Sequence, residues 1–330
     1  MDKINLDYTD LAMEAAESLD PGGVGIPGVG MDISETDIDG GVVIVTTVTI
    51  EDERGAEALG KPKGVYVTLE CEAMKTADAR AHKDITCAFA EEMKRLPVIA
   101  DAKSVLIVGL GNRYVTPDAL GPRVASAVLV TRHLEGLTKE ELGTDEYTSV
   151  SAIAPGVLGT TGIETGEIVK GLVEHVKPDV VIAIDALAAR NARRVNSTIQ
   201  FSDTGLSPGS GMGVGRTALS METLGVPVVA CGVPTVVDAA TLVNDTMNLM
   251  LSDMKNECVE GSAFYEMLES LSEGERYGMI KRLLDPYVGA MFVTPKDVDS
   301  VIDRLSHIIS DALNLALQPS LAKADIGIKF

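Results

Sequence analysis

From residue 103 onward, strand-like and helix-like segments alternate, and this alternation restricts the fold more than any other feature of the chain. Residues 104–108 form an apolar run, a helical pattern covers 117–133, a strand is expected over 149–153, and a helix over 164–175. Residues 179–184 are almost entirely apolar, as a strand covered on both faces should be. Residues 226–230 repeat the pattern ahead of a helix over 236–251. Strands that alternate with helices run parallel and are joined by crossovers. The expected fold class is therefore α/β, a three-layer α/β/α sandwich with a mostly parallel sheet.

The flanking segments fit around that unit. Residues 42–50 and 65–69 are β-branched runs that predict strands, and 76–96 has a helical pattern. Residues 2–39 mix acids, glycines and prolines with little period and predict a loop-rich start. Residues 260–330 read as mainly helical. Within them Val298, Val301, Ile302, Leu305, Ile308, Ile309, Leu313 and Leu317 keep the 3.6-residue period. With 330 residues, 45% of them hydrophobic, the chain can bury a large core, and no linker demands a second domain.

Composition removes several function classes. A net charge of −21 without a basic cluster repels phosphate backbones, so no direct nucleic-acid partner is expected. No apolar run reaches bilayer length and the first ten residues are polar and acidic, which predicts no membrane association and a place inside the cell. Cys71, Cys87, Cys231 and Cys258 have no CxxC spacing and read as incidental thiols. His82, His133, His175 and His307 show no metal-ligand spacing, so no metal is expected. Gly109-Leu110-Gly111-Asn112 follows a buried strand as a dinucleotide loop would. The third glycine is replaced by Tyr114, however, no ribose-binding acid follows, and no Walker A motif is present, so no cofactor is expected.

Two acids have positions that suit chemistry. Asp185 follows the apolar run 180–184, where a charge is costly to desolvate and where open α/β sheets place their sites. A helix cap or a paired core acid would explain it equally well. Asp118, in Thr116-Pro117-Asp118, sits in the first turn of a helix, where dipole compensation is the plain explanation. If the strands preceding them are neighbours, the two carboxylates converge over one crevice. Such a pair shares a proton, one member activating water while the other polarises a carbonyl. Arg190, Arg193 and Arg194 follow Asp185 and could hold an acidic side chain of a substrate, or form a solvated basic face. The loop 204–215 carries Ser207 and Ser210 among glycines without a G-x-S-x-G motif. It suits a mobile loop that admits an extended peptide, with Ser210 as a substrate contact.

Longer motifs resemble a known family. Gly109-Leu110-Gly111-Asn112 with Val115-Thr116-Pro117-Asp118-Ala119-Leu120-Gly121-Pro122, Ser151-Ala152-Ile153-Ala154-Pro155-Gly156-Val157, Ile182-Ala183-Ile184-Asp185-Ala186-Leu187-Ala188 and Gly232-Val233-Pro234-Thr235-Val236-Val237-Asp238 are similar to germination protease, over nearly the whole chain. The resemblance implies a spore endopeptidase, made as a self-cleaving zymogen, that degrades small acid-soluble spore proteins during germination. It further implies a homotetramer in the developing spore and spore core, and an atypical aspartic mechanism whose two aspartates fall on Asp118 and Asp185. The implied fold is that of the hydrogenase maturation endopeptidases. Those enzymes hold a metal with two carboxylates and a histidine, and here no histidine occurs between Asp185 and Ser306. A metal-dependent endopeptidase and a non-catalytic binder of spore proteins are the alternatives.

The family removes its propeptide at a site where an acid precedes the cut and a large apolar residue and alanine follow. Tyr8-Thr9-Asp10-Leu11-Ala12 fits, which predicts cleavage between Asp10 and Leu11, a propeptide of residues 1–10, and a single peptidase domain of residues 11–330. Relatives commonly carry histidine at the position of Ser207 and a basic run after the loop's last glycine, whereas here Arg216 is the lone cation.

Overall fold

A computed structural model describes residues 9–19, 25–136, 147–206, 217–257, 273–288 and 291–318. The strands are β1 (Val29–Ile38), β2 (Gly41–Ile50), β3 (Gly64–Glu70), β4 (Ser104–Gly109), β5 (Ser149–Ile153), β6 (Val180–Ala189), β7 (Thr198–Ser202), β8 (Val228–Asp238) and β9 (Phe292–Val293). The longer helices are α1 (Ala12–Leu19), α2 (Glu53–Leu59), α3 (Ala79–Arg95), α4 (Leu120–Ala127), α5 (Thr165–Val176), α6 (Ala239–Glu257), α7 (Glu273–Val288) and α8 (Val298–Leu317).

The strands join one sheet in the order β1-β2-β3-β7-β8-β6-β4-β5, with β9 on β8. The α/β sandwich is as expected, but the sheet is parallel only over β5-β4-β6-β8. From β8 outward through β7, β3, β2 and β1 every pair is antiparallel. For the β1–β2 pair the cause is the length of the connection. Ile38 pairs with Gly41 across a two-residue turn, and such a turn can join only antiparallel strands.

Side-chain alternation in the strands sends successive residues to opposite layers. Val105, Ile107, Ile182, Ile184, Ile199 and Phe201 face a core shared with α3, α4 and α8. Leu106, Val108, Val181 and Ala183 face α5 on the other side. On that second side, toward β2 and β3, Val48, Ile50 and Tyr66 pack with Leu11 and Ala12 at the N-terminus, Leu59 of α2, and Leu187. Helix α3 starts on Asp78, whose carboxylate accepts from the Arg80 and Ala81 amides. It buries Ile85, Phe89 and Met93 at helical spacing, and the Phe89 ring lies 5.4 Å from that of Phe201. Helix α8 buries Val298, Val301, Ile302, Leu305, Ile308, Ile309, Leu313 and Leu317 in the same core, so this part of the C-terminal region belongs to the main unit.

Three local expectations are corrected. The single helix over 117–133 is a 3-10 turn at Thr116–Asp118, then α4, then a second 3-10 turn at Arg132–Leu134. The strand expected to end at 184 continues to Ala189, and the one expected over 226–230 runs to Asp238. The loop-rich start contains α1 and β1. Strand β1 lies at the sheet edge with residues 31–37 exposed, and its apolar alternation at Val29, Met31 and Ile33 gives way to the polar run Ser34–Asp37, too short a pattern to mark a ten-residue strand.

Candidate active site

The site lies where β4 stops and β6 continues. Gly109 pairs with Ile184 as the last β4–β6 register position, and the Leu110 amide donates to the Ile184 carbonyl at 2.8 Å. Asp185 is the next residue on β6, so it occupies mid-strand and not a strand end. There it is flanked by β8 through Gly232, whereas β4 has already given way to its loop. Asp185 is half-buried, and its Oδ1 accepts from the Ala186 amide at 2.9 Å.

The loop after β4 delivers Asp118 to the same end of the sheet. Asp118 is half-buried at the end of the 3-10 turn, and its Oδ2 accepts from the Asn112 amide at 2.8 Å, folding the loop back on itself. Gly111, at φ +104, allows this: a Cβ there would lie 2.1 Å from the Asp118 carbonyl oxygen. The turn is further held by Thr235 of β8, whose hydroxyl donates to the Pro117 carbonyl at 2.7 Å, and by Thr116, whose hydroxyl donates to Asp299 of α8 at 2.8 Å. Helix α4 then leaves through Gly121, packed against the backbone of Leu110 and Ile184. One predicted aspartate thus stands on β6 and the other on the loop that leaves its neighbour β4, at one sheet end, where open α/β sheets place sites.

The N-terminal segment docks beside this region. The Asp10 amide donates to the Ala188 carbonyl at 3.3 Å, and the Asp10 carboxylate accepts from the Ala188 amide at 2.9 Å. The Asp10 carbonyl accepts from Gln200 Nε2 at 3.0 Å and from Lys61 Nζ at 3.1 Å, while Gln200 Oε1 accepts from the Ala12 amide at 2.7 Å. Leu11 is fully buried. The Asp10–Leu11 bond is therefore pinned from both sides against the sheet. Residues 1–8 of the predicted propeptide, Ser210, and all but the first residues of the loop 204–215 lie outside the described residues.

The three arginines have separate surroundings. Arg194 pairs with Glu17 and with Glu70, each at 2.8 Å, and with buried Glu14 at 3.5 Å, tying α1 to β3. Burial works against its charge, yet Glu17 and Glu70 outweigh that and raise its pKa. Arg190 Nη1 donates to the Ser18 hydroxyl at 2.7 Å, and Arg193 is exposed.

The metal triad of the hydrogenase maturation enzymes is not assembled among the described residues. Among the described residues no three His, Cys, Asp or Glu side chains converge, so these donors do not fit such a metal. His82 is buried against the Ala73 carbonyl, and His133, His175 and His307 are exposed. Cys71 and Cys231 are buried, and burial pushes the Cys231 thiol up to about 12, which leaves it unreactive. No helix among the described residues is long and apolar enough to cross a membrane.

The family model for germination protease matches residues 10–266 and 260–328. The chain belongs to the germination protease family. It is 46% identical over 319 residues to the germination protease of Caldanaerobacter subterraneus subsp. tengcongensis, covering 97% of this chain and 96% of that one. It is also 46% identical over 326 residues to that of Clostridium acetobutylicum, covering 97% of each, and 41% identical over 353 residues to that of Bacillus velezensis, covering 97% and 95%. A solved NiFe hydrogenase maturation protease from Thermococcus kodakarensis aligns with 66% of this chain and 96% of its own at 17% identity and a TM-score of 0.32, a likeness too slight to argue from. As a member of the germination protease family the chain is a protease, a hydrolase associated with spore germination.

Residues that sequence reasoning passed over are Glu14, Lys61 and Gln200. Lys61 sits in Gly60-Lys61-Pro62-Lys63 and reads as surface charge, and nothing in the sequence links it to residue 10. Glu14 accepts from the Arg190 amide at 2.8 Å, the Asn191 amide at 3.0 Å and the Thr9 hydroxyl. Burial pushes its carboxyl up, against the opposing pull of these donors and Arg194. Folded Glu14 thus keeps its proton to a higher pH than the unfolded residue does. Between the ordinary glutamate range and that raised value the docked state binds more protons, so docking of α1 strengthens as pH falls through the raised value and weakens as pH rises through it. Amide hydrogen exchange of residues 12–19 should slow accordingly as pH drops, after correction for intrinsic exchange, and Glu14→Gln should remove that trend.

Proposed function

We propose that this member of the germination protease family is an endopeptidase, made as a zymogen, that removes its own residues 1–10 and then hydrolyses small acid-soluble spore proteins after an acidic residue. It works as a homotetramer in the developing spore and the spore core. Its catalytic groups are Asp118 and Asp185. The observation that supports this reading best is that half-buried Asp185 stands on β6 just past the end of β4, while the loop that leaves β4 carries half-buried Asp118 at the same end of the sheet. A carboxylate pair in such a crevice divides the work of hydrolysis. The ionised member takes a proton from water, and the protonated member polarises the scissile carbonyl and later supplies the proton for the leaving nitrogen.

The N-terminal segment supports self-processing within one chain. Leu11 is fully buried and Asp10 is bonded to β6 itself, so a second copy could reach that bond only after the segment had undocked. Purified full chain held at mildly acidic pH should convert to a form starting at Leu11, and a small acid-soluble spore protein added afterwards should be cut after an acidic residue. Both cuts should persist after treatment with a metal chelator. Intact-mass spectra showing binding without any cut would sink the catalytic reading, and activity lost on chelation and restored by a divalent metal would sink the two-aspartate mechanism.

A further inference from the structure

The carbonyl oxygen of Asp10 receives two side-chain donors from distant parts of the chain. Lys61 Nζ, just after α2, lies 3.1 Å from it, and Gln200 Nε2, on β7, lies 3.0 Å from it. Neither donor is free to turn away. Gln200 is buried, and its Oε1 is held by the Ala12 amide at 2.7 Å, so one carboxamide grips the carbonyl before the Asp10–Leu11 bond and the amide of the residue after it. Lys61 also reaches the Thr9 carbonyl at 3.4 Å. The amide of Leu11, the nitrogen that would leave, donates to the Thr9 hydroxyl at 3.1 Å.

This grip lies on the face of the sheet that carries Asp185. Gln200 pairs with Gly232, and Gly232 pairs with Asp185, so the three stand in one row across β7, β8 and β6. The neighbours Ile184, Ile199 and Phe201 point into the opposite core, which places Asp185 and Gln200 on the same face. Gly232 between them has no side chain, and the Leu187 side chain lies over it, its Cγ 2.7 Å from where a Cβ would stand. Two strand spacings put their Cα atoms roughly 10 Å apart.

We propose that Lys61 and Gln200 are the carbonyl-polarising pair for self-cleavage of the Asp10–Leu11 bond. The inference rests on the self-processing reading above. Water adds to the Asp10 carbonyl carbon, its proton passing to the ionised aspartate of the pair, and the carbonyl oxygen takes on negative charge. Lys61 and Gln200, already directed at that oxygen, stabilise the charge as it forms. The carbon–nitrogen bond then breaks, the Leu11 nitrogen receives a proton from the protonated aspartate, and the products are a carboxylate at Asp10 and an amine at Leu11. Donors fixed before the reaction need no reorganisation when the charge appears, and removal of one such donor from an acyl-transfer site typically costs about 10²–10³-fold in rate. The net effect is an acid-directed bond that is held and polarised by the chain's own side chains.

The test follows the first-order conversion of full-length chain by intact mass. Lys61→Met and Gln200→Met should each slow the cut between Asp10 and Leu11 by about 10²-fold or more, while Lys61→Arg, which keeps a cationic donor, should stay within about tenfold of the unaltered chain. Amide hydrogen exchange over residues 10–16 of each variant reports whether the segment is still docked. Slow cleavage with docking retained is the expected result. Cleavage of both Met variants at the unaltered rate would overturn the inference alone, as would slowing that tracks loss of docking, since the side chains would then be anchors only. An unaltered chain that is never cut at this bond would overturn the self-processing reading and the inference with it.

Discussion

Asp185→Asn is expected to lower peptide hydrolysis by about a thousand-fold, within the 10²–10⁴ range that a positioned acid or base supplies, while the fold persists. Asparagine keeps an oxygen that can accept from the Ala186 amide, so that hydrogen bond survives while the proton-transfer capacity is lost. The same logic applies to Asp118→Asn, since the amide oxygen can still accept from Asn112 and hold the loop after β4. Groups that act as one unit are strongly non-additive, so the double variant should be little slower than either single one. The measurement is the rate of spore-protein cleavage by mass spectrometry beside thermal unfolding of each variant. A rate within tenfold of the unaltered chain, in either single variant, would remove that aspartate from the mechanism.

Gly121→Ala should lower stability and activity together. The added Cβ would stand 2.3 Å from the Leu110 carbonyl oxygen, 2.5 Å from the Ile184 carbonyl oxygen and 2.6 Å from the Leu110 nitrogen. All three are backbone atoms of the β4–β6 junction, so no side chain can swing aside and α4 must move as a body. Overpacking of this kind costs about 1–3 kcal/mol, and the same shift displaces the loop that carries Asp118 relative to Asp185. A misplacement of about 1 Å in catalytic geometry can cost on the order of 10²-fold in rate. Denaturant unfolding and cleavage rates should therefore fall together. A variant with lowered stability and undiminished activity would show that α4 does not set the spacing of the two aspartates.

Much of the fold was legible before any coordinates. Buried strands such as residues 180–184 and the helix over 298–317 have strong periods because their faces are covered by the core on one or both sides. The misses have equally physical causes. β1 is an exposed edge strand whose stability comes from its ladder to β2 and not from an apolar face. The antiparallel half of the sheet was hidden because strand direction is set by which strands meet, and β3 meets β7 across more than a hundred residues of chain. Asp185 stood out because a charge after an apolar run is costly. Asp118 did not, because an acid in a first turn has an ordinary electrostatic explanation.

Arg194 shows the same division within one residue. Its place after Asp185 suited either a substrate contact or a solvated basic face, and in the fold it pairs with Glu14, Glu17 and Glu70. A guanidinium beside three carboxylates of its own chain is an anchor for α1, and the carboxylates lie too far away in sequence for spacing to reveal them.

By itself the sequence determined the strand–helix alternation, the family through its long motifs, and the candidate bond between Asp10 and Leu11. Those are properties of neighbours along the chain, where period and motif are written. Only the tertiary structure decided that Asp185 sits mid-strand where β4 ends, that Gln200 shares its row, and that Lys61 closes on the Asp10 carbonyl from 51 residues away. Hydrogen bonds between groups so widely separated depend on how the sheet is assembled, and that assembly leaves no local pattern in the residues that make them.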